Sequence, residues 1–165
     1  MGNKIQAGDV LFVWGDGWIE KGIEFITHGA CHVAVFVSEN KLYEAQGGRA
    51  LGECDLSFYL ENPKIKRLEV WTDPTWTDEE RTKVPDVAEQ FKGIAYDYPV
   101  ILAEIPHFEF GMNIDWYNNH GKLDCSEFAE AFAEKFGKHW SKLIHPAPVD
   151  EEKGGVLVRK LVLKG

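Results

Sequence analysis

The 165-residue chain carries a net charge of −9 from 18 basic and 27 acidic residues, and 44% of it is hydrophobic. No cluster of Lys or Arg stands out, which excludes nucleic acid and anionic membranes as main partners because both need a basic patch. No apolar run approaches the ~18 residues of a membrane-spanning helix, so we expect no stable membrane insertion. The length suits a single domain over residues 1–165 with a sizeable core.

The first half of the chain predicts strands more clearly than helices. Strand formers dominate residues 10–14, and a helical stripe of apolar residues follows over 18–27. Residues 32–37 (HVAVFV) and 41–46 predict two strands joined as a hairpin. The glycines at 47, 48 and 52 indicate a loop.

The second half mixes helices and strands. It predicts a short helix over 55–60, a strand over 65–71 and a helix from Thr77 toward Gln90, in which Pro85 would cause a kink or delay the start. A strong helix follows over 125–136, capped by Asp124 or Leu123 and closed by Gly137, and a last strand covers 156–163. The fold class is therefore α+β, an antiparallel sheet with a few helices packed on it.

The three cysteines, Cys31, Cys54 and Cys125, are too few and too odd in number for a disulfide framework. We expect all three to be reduced, as in a reducing compartment. Since residues 1–14 also lack the long apolar stretch of a signal peptide, we expect a cytoplasmic protein, including one that is phage-encoded or released by another route.

Cys125 stands in the stretch GKLDCSEF, directly where the strong helix is predicted to begin. The free N–H groups and the dipole of a helix N-terminus stabilise a thiolate and can later hold an oxyanion. The alternative is plain packing, because free cysteine is among the most buried residue types.

A nucleophilic thiol needs a base and a group that orients that base, and His32 is the strongest candidate for the base. It begins the strand HVAVFV and shares a face with the small Ala34, where a helix could approach. With a turn over 39–41, Glu44 would lie opposite Phe36 and Gln46 opposite Ala34, both on the face of His32. Glu44 offers a carboxylate and Gln46 a neutral amide, and one residue of register decides whether either reaches the histidine.

Six short motifs in order, GDVLFV, HVAVFV, KLYEAQGG, FKGIAYDY, LDCSEFAEAF and HPAP, resemble the permuted branch of the NlpC/P60 superfamily of papain-like cysteine hydrolases, which also holds lecithin:retinol acyltransferase-like proteins. The resemblance implies a circularly permuted papain-like fold in which a helix carrying the nucleophile packs on the sheet. It implies Cys125 as nucleophile, His32 as general base and acid, and Glu44 as the orienting residue. It also implies that Tyr96, in a Gly-x-x-Tyr segment, donates to the oxyanion or substrate. Cys31 stands where the family often has Ser or Thr.

The function so indicated is a cysteine hydrolase without cofactor or metal, cleaving a peptide or other small amide substrate such as a cell-wall peptide. One alternative is a lipid acyltransferase or phospholipase on the same site, and another is a non-catalytic binding module. The acyl groove of the former would be lined by Phe108, Phe110, Met112 and Trp116. A metal site of His28, Cys31, His32 and Cys125 is a further alternative, although its spacing is not a regular zinc pattern. The oligomeric state is left open.

Overall fold

The computed structural model describes residues 4–15, 30–45, 49–95, 123–141 and 152–165. The strands in this part of the chain are β1 (Val10–Gly15), β2 (His32–Phe36), β3 (Lys41–Glu44), β4 (Gly52–Asp55), β5 (Ile65–Thr72) and β6 (Val158–Lys164). The helices there are α1 (Leu56–Leu60), α2 (Asp78–Glu89) and α3 (Cys125–Glu134). The strands form one antiparallel sheet in the order β4-β3-β2-β1-β5-β6, which confirms the α+β class.

Different helices pack on the two faces of the sheet, and successive side chains of a strand point to opposite faces. Val33 and Val35 of β2 belong to the cluster that contains Phe128 and Phe132 of α3. Ala34 of β2 belongs to a second cluster, with Leu56 and Tyr59 of α1 among its members. We call these the α3 face and the α1 face of the sheet.

The β2–β3 hairpin has the predicted turn length but not the predicted register. Phe36 pairs with Leu42, and the N–H of Val37 donates to the carbonyl of Lys41 at 2.9 Å. The turn therefore spans residues 38–40, one residue earlier than predicted, and the predicted pairing of Glu44 with Phe36 is wrong. The resulting shift is two residues along β3, so Glu44 keeps its predicted face.

Two further predictions need correction. Gly52 is predicted in a loop and Asp55 at the start of a helix, but residues 52–55 form β4 and pair with β3, because cross-strand bonding and burial of Cys54 outweigh weak strand formers. The start of α2 is not delayed by Pro85, which lies inside the helix. A capping box between Thr77 and Glu80 fixes that start.

A capping box also begins α3, and Asp124 rather than Leu123 is its N-cap. The Asp124 carboxylate accepts from the N–H of Glu127 at 2.7 Å, and the Glu127 carboxylate accepts from the N–H of Asp124 at 3.2 Å. Gly137, with φ of +67°, ends the turn after the helix as predicted. None of the helices in the described ranges is long and apolar enough to cross a membrane.

Candidate active site

His32 and Glu44 form a buried hydrogen-bonded pair. The His32 Nε2 atom lies 3.0 Å from the Glu44 Oε2 atom, and each side chain is only 1% exposed. His32 is the first residue of β2 and Glu44 the last of β3, so the two strand ends bring them together on the α1 face. Of the two residues that the hairpin predicts on the face of His32, Glu44 and Gln46, the structure shows Glu44 in contact with the imidazole.

Two more side chains hold the carboxylate of Glu44. The Tyr59 hydroxyl, from α1, donates to the same Oε2 atom as His32, and the Arg49 guanidinium donates to Oε1. The Tyr59 ring also stacks on the His32 ring, with centroids 6.1 Å apart and planes 15° from parallel. The sequence alone does not indicate either residue as part of the site; only the i, i+3 spacing of Leu56 and Tyr59 indicates a buried side of α1.

Cys125 is the first residue of α3 and is 3% exposed. Its Sγ atom lies 3.9 Å from the hydroxyl of Ser126. The preceding Asp124 and the following Glu127 are tied together by the capping box, which fixes the backbone on both sides of the thiol. Cys125 therefore stands where the N–H groups of a helix start lack intrahelical partners.

The start of α3 lies at the same end of the sheet as His32 and Glu44. Segment 93–95 hydrogen-bonds to Leu51 at 2.9 Å on one side and to Leu123 at 3.1 Å on the other. Leu51 directly precedes β4, whose first residue pairs with Glu44. These contacts connect the beginning of α3 to the sheet end where β2 begins and β3 ends.

Cys125 and the His32 ring nevertheless lie on opposite faces of the sheet. Cys125 belongs to the cluster on the α3 face, whereas the His32 ring packs on Tyr59 on the α1 face. A helix does approach the face that His32 shares with Ala34, but that helix is α1. The sheet end where α3 and β2 begin is therefore the place at which thiol and imidazole would approach each other.

Several predicted residues lie outside the described residues. They are the oxyanion donor Tyr96, the alternative orienter Gln46, the metal candidate His28, and the groove residues Phe108, Phe110, Met112 and Trp116. The helix predicted over 18–27 also lies there. The roles of these residues stay predictions.

The other two cysteines, Cys31 and Cys54, are buried and form no disulfide bond with a described residue. Cys31 donates from Sγ to the carbonyl oxygen of Val13 at 3.2 Å. Burial, aided by the charge of Glu44, raises the pKa of Cys54 to about 11, although Arg49 opposes the shift. Cys54 lies on the α1 face with Glu44, yet a thiol with such a pKa is a poor nucleophile near neutral pH.

One group of side chains in the described ranges has metal-binding chemistry. Glu130, Glu134 and His139 each offer a ligand atom, and these atoms lie within 4.8 Å of one another. Glu130 already accepts from the N–H groups of Trp140 and Ser141, both at 2.9 Å, and lies 3.1 Å from His139 Nδ1. These hydrogen bonds give the cluster a structural role, because they hold the chain that follows α3 to that helix.

The described sheet and helices define an α+β protein with an antiparallel six-stranded sheet between helices. No protein-family model matches the sequence, and no curated protein matches it. The fold is similar to the crystal structure of the metalloprotein yiiX from Escherichia coli O157:H7, a DUF1105 protein, with a TM-score of 0.68 and 14% sequence identity. The match covers 97% of this chain and 98% of that one. At this identity the likeness shows a shared fold alone.

Proposed function

We propose that the chain is a cysteine hydrolase of permuted papain-like type, in which Cys125, His32 and Glu44 act together on an amide bond. The observation that carries the proposal is the buried His32–Glu44 pair at 3.0 Å, at the sheet end where α3 begins with Cys125. An imidazole oriented by a carboxylate and a thiol at a helix start are the groups that nucleophilic catalysis by cysteine needs.

In the proposed reaction, His32 takes up a proton and gives it back in each of two stages, formation of the thioester and its hydrolysis. If Nε2–H of His32 donates to Glu44, the neutral ring has its lone pair on Nδ1 and takes the proton of Cys125 there. The thiolate attacks the carbonyl carbon, and the Cys125 N–H, with Tyr96 as a second donor, holds the oxyanion. His32 then gives its proton to the leaving amine, and the C–N bond breaks to leave a thioester. Water, deprotonated by His32, attacks the thioester and releases the acid, and the proton returns to the thiol.

The proposed substrate is a peptide or a small peptide-like amide, including cell-wall peptides, and the proposed location is the cytoplasm. Acyl transfer from a lipid on the same three residues remains the second substrate class, which liposome binding would separate. A binding module on this fold would keep its ligand binding in Cys125→Ala, whereas a hydrolase loses turnover.

The test is the rate at which iodoacetamide labels each cysteine between about pH 5 and 9, mapped by mass spectrometry. We expect Cys125 to react well below the ordinary thiol range, and His32→Ala to remove that reactivity. The matched control is His139→Ala, because His139 also contacts a glutamate, Glu130, but follows the C-terminal end of α3, whereas Cys125 begins that helix. It should label like the unaltered protein.

Two results would contradict the proposal. One is Cys125 labelling only near pH ~8.5, the ordinary range of a free thiol. The other is equal labelling in His32→Ala and His139→Ala. Stoichiometric zinc in the purified protein would instead favour the metal site.

A further inference from the structure

The carboxylate of Glu44 receives donors from three directions. His32 Nε2 and the Tyr59 hydroxyl both reach Oε2, and Arg49 reaches Oε1. A buried carboxylate is costly unless its oxygens are hydrogen-bonded and its charge is matched. His32 alone leaves Oε1 unmatched, so the other two donors are part of what keeps Glu44 in place.

Tyr59 and Arg49 do different things to this carboxylate. Tyr59 is fully buried and contacts both members of the pair, since its hydroxyl binds Glu44 while its ring stacks on His32. Arg49 is 46% exposed and supplies the opposite charge from the rim of the site. Tyr59 therefore limits the rotation of both side chains, and Arg49 fixes which carboxylate oxygen faces the histidine.

We propose that Tyr59 and Arg49 are positioning residues for the His32–Glu44 pair: together they hold Oε2 of Glu44 on Nε2 of His32. This keeps the neutral ring in the tautomer whose lone pair is on Nδ1. The inference rests on the proposed function, in which the Nδ1 lone pair of this tautomer accepts the proton of Cys125. The geometry at Glu44 itself is independent of any reaction.

The structure offers a matched control for each residue. Tyr43 is as buried as Tyr59 but lies on the α3 face, and its hydroxyl has no hydrogen-bond partner among the described residues. Arg67 is 43% exposed and also binds a buried glutamate, Glu69, away from the site. Tyr59→Phe is therefore compared with Tyr43→Phe, and Arg49→Gln with Arg67→Gln.

Two measurements are made on the full chain. The first is the NMR chemical shifts of the His32 ring nitrogens, which report the tautomer directly. The second is the pH profile of Cys125 labelling by iodoacetamide. We expect Tyr59→Phe and Arg49→Gln each to mix the tautomers and to slow labelling at about pH 6 by about tenfold, the low end for losing a hydrogen bond to a charged group. Arg49→Lys, which keeps the charge, should recover part of the rate, and both controls should match the unaltered protein.

The outcomes separate this inference from the proposed function. If labelling depends on His32 but Tyr59→Phe and Arg49→Gln behave like their controls, the positioning role is overturned and the hydrolase proposal stands. If the tautomer changes in both variants while Cys125 labelling never depends on His32, the positioning of Glu44 is supported and the hydrolase proposal fails. Circular dichroism identifies a variant that does not fold; should Tyr59→Phe be one, the Arg49 comparison decides.

Discussion

Cys54 and Cys125 are both buried, and Cys54 lies on the α1 face of the sheet with the carboxylate of Glu44. Burial and the charge of Glu44 raise the pKa of Cys54 to about 11, and Arg49 opposes the shift. We therefore expect iodoacetamide to leave Cys54 almost unlabelled at pH values where Cys125 reacts.

The same neighbours predict opposite effects of two substitutions on Cys54. Glu44→Gln removes a negative charge and should lower the pKa of Cys54, whereas Arg49→Gln removes the opposing cation and should raise it further. The pH dependence of Cys54 labelling in each variant measures both. A shift in the same direction in the two variants would contradict this account.

At the residue scale, a shared face of His32 and Glu44 could be predicted, although neither the register nor the choice of Glu44 over Gln46 could. Because side chains alternate with a period of two along a strand, a shift of two residues leaves each side chain on the same face. His32 and Glu44 therefore share a face although the predicted turn position is wrong. Tyr59 and Arg49 could not be predicted as partners. Their contacts with Glu44 depend on how α1 and the chain before β4 pack on the sheet. No local sequence pattern indicates this packing.

At the element scale, the capping boxes that begin α2 and α3 differ chiefly in burial. Thr77 and Glu80 form theirs at the exposed surface, whereas Asp124 is 3% exposed. Removing an N-cap side chain costs about 0.5–2 kcal/mol, and a buried N–H left without an acceptor adds to that. We expect Thr77→Ala to cost about 1 kcal/mol and Asp124→Ala about 2–3 kcal/mol.

Urea denaturation of both variants measures this difference as a change in midpoint at constant slope. Thr77→Ser and Asp124→Asn, which keep a capping oxygen, are the controls and should recover most of each loss. Equal losses in the two alanine variants would show that burial of the α3 cap does not add to its contribution.

Elements with a strong local signal were the predictable ones. A few residues are enough to indicate each of three elements: the strand HVAVFV by its alternation, α2 by its Thr77 cap, and α3 by its apolar side. Strand β4 reads GECD and contains Gly and Asp, which are depleted in strands. It is a strand because β3 pairs with it along its whole length, and this non-local cause is not visible in the four residues.

At the scale of the whole molecule, the face of the sheet that each helix covers was the least predictable feature. Strand β2 is buried on both faces, and both α1 and α3 have apolar sides that could cover either face. The choice depends on the path of the chain between the elements. It puts Cys125 and the His32 ring on opposite faces of the sheet, so the proposed reaction requires them to meet at the sheet end where α3 and β2 begin.

The stability of the whole fold should vary with pH in the acid range because of the protonation of Glu69, a buried residue of β5. It accepts from Arg67 at 2.5 Å, from Trp71 at 2.8 Å and from Arg159 of β6 at 3.2 Å, and so joins the edge strand to the interior. Burial works against the charged form, but these bonds hold the pKa of Glu69 below its usual 4.5. A carboxyl with a lower pKa in the folded state adds stability above about 4.5 that is lost as pH falls through the folded value.

We therefore expect Glu69→Gln to lower the free energy of unfolding by about 1–3 kcal/mol at neutral pH, because charged hydrogen bonds inside the sheet are lost. The difference from the unaltered protein should shrink as pH falls below about 4.5, where Glu69 itself becomes protonated. Urea denaturation between about pH 3 and 7 measures it. Glu79→Gln is the control: hydrogen bonding to Lys83 also lowers the pKa of Glu79, but the side chain is 79% exposed, so this substitution should have no measurable effect. A Glu69→Gln deficit that stays constant down to the lowest pH would mean that shape, and not the charge of Glu69, holds β6 to the sheet.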